Sequence, residues 1–114
     1  MPYFNIKTNA ELSKVDAAAV VKAASKFCAE ALGKPEGYVE VALQSCAMSF
    51  AGDAAPCAIV ELWSIGLPKD APKKLTPQIC DFLGKKLNVK KDRIYINFQN
   101  INGAFWGHND QTFG

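Results

Sequence analysis

Between Cys57 and Ile65 the chain reads CAIVELWSI, an almost unbroken apolar run with Glu61 as its only charge and Gly66 at its end. Pro56 stands immediately before it. A run of this kind reads as a central β-strand buried on both faces. That expectation constrains everything else, because the remaining elements must flank such a strand and cover it.

The flanking pattern repeats. Phe4 and Ile6 alternate with Asn5 and Lys7, which predicts a first strand over residues 3–8. Ser13 with Asp16 three residues on resembles a capping box and predicts a helix start there. An alanine-rich body follows, containing Val15, Ala18, Ala19, Phe27 and Ala31. Leu32-Gly33-Lys34-Pro35 ends it, with Gly33 suited to a left-handed cap and Pro35 unable to continue the helix. Residues 38–45 alternate again, with Val39, Val41 and Leu43 against Glu40, Ala42 and Gln44. Strand, long helix, strand is a right-handed crossover that pairs its strands in parallel.

The second half copies this order without sequence identity. After the strand at 57–65, Leu75, Ile79, Phe82, Leu83 and Leu87 recur at helical spacing. Two starts are compatible with that helix: Thr76 as cap with Pro77 in first position, or a start near Asp70 that tolerates Pro77. Residues 93–98 then alternate Ile94, Ile96 and Phe98 with Tyr95 and Asn97. The predicted fold is α/β: two β-α-β units merged into one four-stranded mixed sheet, with both helices on one face. One domain of 114 residues is the right size for it. The helices cover only one face of a sheet whose central strand is apolar on both, so another copy of the chain is expected on the other face.

Charge and cysteine usage exclude several classes. Thirteen Lys+Arg against 11 Asp+Glu leaves a net charge of +2, too little to argue for nucleic acid or an anionic membrane. The cluster Lys85, Lys86, Lys90, Lys91 and Arg93 falls where a helix should end, where cations complement the helix dipole. The start MPYFNIKTN has neither a basic nor an apolar segment of the secretory kind, and no apolar run reaches the ~20 residues that span a bilayer. The expectation is a cytoplasmic protein, with any secretion by a non-classical route. Cys28, Cys46, Cys57 and Cys80 have no paired spacing and read as reduced thiols. With His108 as the single histidine and no C-x-x-C, no metal site is expected.

Met1-Pro2 carries a chemical option. Once the methionine is removed, Pro2 presents a secondary amine. An ordinary α-amino group titrates near ~8, and desolvation or a neighbouring lysine lowers that value and leaves a neutral base. Alone, the dipeptide carries little weight, since many chains begin this way.

Its context changes the reading. Thr8-Asn9, Gly33-Lys34-Pro35 with Tyr38-Val39, Met48-Ser49-Phe50 with Gly52, and Pro56-Cys57-Ala58 occur in order. They are followed by Ser64-Ile65-Gly66, Asp92-Arg93-Ile94-Tyr95-Ile96-Asn97, Trp106-Gly107, Asn109 and Thr112-Phe113. Through these residues the chain resembles, end to end, the macrophage migration inhibitory factor family, which includes D-dopachrome tautomerase. The resemblance implies a homotrimer enclosing a central channel, with active sites between neighbouring subunits. It implies keto–enol tautomerase activity on phenylpyruvate-like and dopachrome-like substrates, with the processed Pro2 as catalytic base and no cofactor. Lys34 is then the carboxylate anchor, and its charge lowers the Pro2 amine pKa. Ile65 contributes backbone contacts to the substrate. Tyr95 and Asn97 share a strand face and reach across the subunit boundary. Trp106 and Phe113 form an apolar wall for an aromatic ring.

Each residue also has a plainer role available. Lys34 suits a helix C-terminus, Ile65 a core, Tyr95 and Asn97 a polar surface, and Trp106 and Phe113 an anchor for the chain end. The sequence departs from the family pattern twice. Where some members carry Cys-x-x-Cys, Cys57 is followed by Val60 in place of the second cysteine, which argues against dithiol chemistry. His108 stands where tryptophan is common in the family, at the expected rim of the pocket. A different class of function, a cytokine-like protein that engages a cell-surface receptor, is the alternative that the same resemblance implies.

Overall fold

The computed structural model describes residues 1–114. Its main elements are β1 (Tyr3–Thr8), α1 (Ala17–Leu32), β2 (Glu40–Ser45), β3 (Ala58–Ile65), α2 (Ala71–Leu87) and β4 (Ile94–Ile101). A small hairpin, β5 (Gly107–His108) and β6 (Gln111–Thr112), closes the chain. The sheet order is β2-β1-β3-β4. β1 pairs with β2 and β3 with β4 in parallel, while β1 and β3 meet antiparallel at the centre. This is the expected merger of two β-α-β units.

Both helices lie on one face. Phe4, Ile6, Val60 and Leu62 from the central strands are buried in one cluster with Val20, Ala24 and Cys28 of α1 and Leu75, Ile79 and Leu83 of α2. Phe27 and Phe82 stack between the helices at 4.9 Å. The expected burial of β3 on both faces is met on one face in the single chain. Ala58, Val60, Leu62 and Ser64 are buried, whereas Ile59, Glu61, Trp63 and Ile65 are exposed or half-buried on the open face.

Two local expectations are corrected, and one left open is decided. α1 starts later than the capping-box pattern suggests, because Asp16 itself is the cap. Its carboxylate accepts from the Ala19 amide at 3.1 Å, and Ser13 lies before the helix with its amide bonded to Glu11. α2 takes the earlier of its two starts, with Asp70 as cap residue and Pro77 inside the helix. An interior proline costs about 3 kcal/mol. Starting at Thr76 would forfeit the burial of Ala71 and Leu75, each under a tenth exposed, and a fully buried leucine side chain alone is worth about 1.5–3 kcal/mol. Pro77 faces solvent, so its ring meets no neighbouring element. Finally, residues 36–38 form a short 3-10 turn, and β2 begins only at Glu40.

The open face is ordered by its own polar row. The Asn5 side chain donates to Glu61 at 3.0 Å and accepts from Gln44 at 3.2 Å. Asn5 is 2% exposed. This row explains how a sheet face that no helix covers holds a charged residue at the middle of its central strand.

Candidate active site

The end of α1 sets the first functional side chain. Gly33 adopts φ 62°, a left-handed conformation that glycine reaches without steric cost. The following amide, Lys34 N, bonds back to Ala29 O at 3.0 Å, and the paired closing bonds make this a Schellman cap. The cap turns Lys34 toward the sheet, where its ammonium donates to the Ile65 carbonyl at 3.0 Å. Gly66 follows with φ 69°, and a Cβ there would stand 3.9 Å from the Lys34 nitrogen. Lys34 is half-buried.

Beside this pair lies Pro2, fully buried. Its carbonyl accepts from Glu40 N at 3.0 Å, which fixes the start of β1 against β2. With Met1 in place, the Pro2 nitrogen is a tertiary amide. The terminal amine on Met1 is nevertheless informative: its pKa falls below the ordinary 8.0, first through burial and then through Lys34. Behind it, the Cys28 thiol is pushed up to about 12 by burial. At neutral pH that thiol is uncharged and supplies no anion to hold an amine protonated.

A cleft of about 240 Å³ opens over Pro2. Tyr38, Val39, Glu40, Trp106, His108 and Phe113 are among the residues that line it. The terminal hairpin carries His108 and is flanked by Trp106 and Phe113. Asn109 and Asp110 both have positive φ, 52° and 68°, the geometry of a two-residue turn matched to strand twist. His108 and Phe113 stack nearly parallel with ring centres 5.9 Å apart. Phe113 N donates to both Gly103 O and Trp106 O at 3.1 Å, so the chain end is tied to the segment that carries Trp106. A larger open concavity, between α2 and the 3-10 turn before β4, has only two hydrophobic residues among its ten. It holds none of the groups around Pro2.

The fold therefore brings together Pro2, Trp106 and Phe113 around the cleft, with Lys34 and Ile65 beside it. It does not bring Tyr95 and Asn97 there within one chain. Tyr95 pairs in register with Ile59, whereas Tyr3 pairs with Trp63. The Tyr95 side chain is thus roughly 15 Å along the strands from Pro2 and two strand spacings across. Tyr95 is 64% exposed on the open face and packs on Phe50 at 4.8 Å. Asn97 accepts from the Trp63 indole at 3.3 Å and from the Gln99 amide at 3.2 Å. Sequence reasoning missed Tyr38, Cys28, Trp63 and Gln99 as neighbours of functional groups. For Gln99 a signal was present, since it lies two residues past Asn97 on the same strand face. No group of three or more His, Cys, Asp or Glu side chains is placed to hold a metal ion. No helix is long and apolar enough to cross a membrane.

Comparison with known proteins accounts for this arrangement. The family model described as macrophage migration inhibitory factor matches residues 1–114. The chain belongs to the macrophage migration inhibitory factor family. A macrophage migration inhibitory factor homolog of Brugia malayi is 38% identical, covering 100% of both chains. The macrophage migration inhibitory factor of Xenopus laevis is 36% identical over 99% of each. Among solved structures, the homologue from Prochlorococcus marinus superposes with a TM-score of 0.92 at 35% identity, covering 98% of this chain and 99% of that one. The Trichinella spiralis protein gives 0.91 at 32% identity, covering 97% and 99%. Membership of the macrophage migration inhibitory factor family carries with it, in general terms, tautomerase and cytokine-like function.

Proposed function

We propose that the protein is a keto–enol tautomerase for phenylpyruvate-like substrates, and for dopachrome-like ones by the same chemistry, with the amine of Pro2 as base once Met1 is removed. The observation that carries this reading is the placement of Pro2, buried at the cleft, where burial and then Lys34 lower the pKa of the terminal amine. Pro2 lies deeper than Met1, fully buried where Met1 is half-buried. Once Met1 is removed, the same two causes, burial and the Lys34 charge, bear on the Pro2 amine. A lowered pKa enlarges the neutral fraction of such an amine, the form suited to abstracting a proton next to a carbonyl.

In the proposed reaction the substrate carboxylate meets the Lys34 ammonium, and the ring lies against Trp106 and Phe113. The Pro2 nitrogen takes a proton from the carbon next to the ketone. The released electron pair forms the carbon–carbon double bond as the carbonyl π pair moves onto oxygen, which takes a proton from water, and the Pro2 ammonium returns its proton to solvent. The Ile65 carbonyl holds Lys34 in place through the 3.0 Å bond. An amine base and an anion anchor suffice for this step.

The active unit is proposed to be a homotrimer. The uncovered sheet face, with Ile59 37% and Tyr95 64% exposed, supports burial against other copies. That assembly delivers Tyr95 and Asn97 from one chain to the cleft of its neighbour. A second reading, engagement of a cell-surface receptor, draws support from the vertebrate relatives that bear the name macrophage migration inhibitory factor. Steady-state enolisation of phenylpyruvate by wild-type and Pro2→Gly protein tests the first reading. Turnover that disappears with Pro2 supports it, and undiminished turnover rejects it.

A further inference from the structure

Asn97 sits on the open face of β4 with its amide held at one end by two donors. The Trp63 indole donates to Asn97 Oδ1 at 3.3 Å, and Gln99 Nε2 donates to the same oxygen at 3.2 Å. An indole N–H has no acceptor capacity, so the Asn97 atom facing it must be the oxygen. Flipping the Asn97 amide would set its NH2 against the indole N–H, which cannot accept, and lose that bond. Trp63 is itself fixed, packed edge-on against Tyr3 with ring centres 5.5 Å apart. The cross-strand register also places Trp63 opposite Gln99 and Glu61 opposite Asn97, so all three partners stand on one face.

The consequence is chemical polarity. With both lone-pair directions of Oδ1 occupied, Asn97 offers a ligand its NH2 group only. We infer that Trp63 and Gln99 are positioning residues that make Asn97 a dedicated donor, so that the site selects aromatic keto acids whose ring bears a hydrogen-bond acceptor over those bearing a donor. This inference rests on the proposed function, in which Asn97 meets the substrate ring across the subunit boundary. A freely rotating asparagine would serve donors and acceptors alike. The restriction comes from the indole, an obligate donor, with the Gln99 amide filling the second lone-pair direction, and it is written in residues that contact the substrate only through Asn97.

Two ring-substituted substrates separate the cases: 4-methoxyphenylpyruvate, which can only accept at its ring substituent, and 4-(ammoniomethyl)phenylpyruvate, which can only donate there. The readout is the ratio of their KM values in wild type and in the double variant Trp63→Phe, Gln99→Leu. Both substitutions are neutral, so the charge of the second probe affects the two proteins equally. In wild type the methoxy compound should have the lower KM. In the variant, where the amide is free to turn, the ratio should move toward unity by about three- to ten-fold, the scale of one neutral hydrogen bond. Trp63→Phe alone, which keeps an aromatic ring against Tyr3, should move it part of the way if the double variant fails to fold. A ratio unchanged in a folded variant, or no preference in an active wild type, overturns the inference while leaving the tautomerase reading intact. Wild type that fails to enolise unsubstituted phenylpyruvate rejects the tautomerase reading instead, and the inference with it.

Discussion

The Lys34 ammonium donates to the carbonyl oxygen of Ile65 across 3.0 Å, and this bond ties the end of α1 to the end of β3. The lysine is thereby held beside the terminal amine whose pKa it lowers. Because the base acts unprotonated, activity should rise with pH through the amine pKa. Lys34→Ala removes a like charge, raises that pKa and should move the ascending limb of kcat/KM to higher pH. It should also weaken substrate binding about 10- to 100-fold, the range of a charge-assisted hydrogen bond. Lys34→Arg keeps the charge and should leave the limb near its original position. A pH–rate profile for the three proteins checks both effects, and an alanine variant with an unshifted limb would contradict the electrostatic part.

Gly33 offers a test of the cap alone. Nothing lies within 4 Å of the position a Cβ would take, yet φ is 62°. Gly33→Ala should therefore cost about 1–2 kcal/mol through backbone strain and not through a clash. Denaturant unfolding of the two proteins measures it. A loss much larger than this would mean that the cap carries more of the fold than its geometry indicates.

Arg93 organises the loop behind Tyr95. Its guanidinium donates to Pro56 O at 3.0 Å, Asp53 O at 2.9 Å and Ala55 O at 3.1 Å. It also lies 5.3 Å from the centre of the Phe50 ring, on which Tyr95 packs. Arg93→Ala should loosen that stack and, with Tyr95 acting across the subunit boundary, raise KM several-fold with a smaller change in kcat. Steady-state kinetics on phenylpyruvate separate the two parameters. A fall in kcat at constant KM would show that Arg93 acts in some other way.

How much of this was legible in the sequence depended on which force set each feature. Strand alternation and the apolar run at 57–65 are written by burial, and from them the two β-α-β units and the shared face of Tyr95 and Asn97 could be read; the strand order β2-β1-β3-β4 came only with the fold. The start of α2 was left open because a local rule against interior proline competed with a long-range gain, the burial of Ala71 and Leu75. Local sequence shows only the first of these. Ser13 misled for a related reason: the capping-box pattern treats Asp16 as the residue inside the helix, while the chain uses it as the cap. Pro2 and Lys34 stood out through family resemblance, but the Lys34–Ile65 bond needed the fold. So did the role of Trp63, whose indole meets Asn97 only because β3 and β4 pair in that register.

Thiol reactivity follows burial. The Cys28 thiol is pushed up to about 12 by desolvation, and only the thiolate is nucleophilic. Cys46 is exposed. Iodoacetamide at mildly alkaline pH should label Cys46 first and Cys28 only after unfolding, as read by peptide mass spectrometry. Equal labelling rates in the folded protein would contradict the buried, neutral thiol behind Pro2.

The central claim is that the Pro2 nitrogen, freed as an amine, is the base. It is tested most directly by phenylpyruvate turnover on two preparations that differ only in Met1, each verified by intact mass. With Met1 retained, the Pro2 nitrogen is an amide and the free amine is carried one residue away from it, so the Met1-free protein should be active and the Met1-retaining protein should lose nearly all turnover. Equal rates in the two preparations would contradict the account and move the base to another residue.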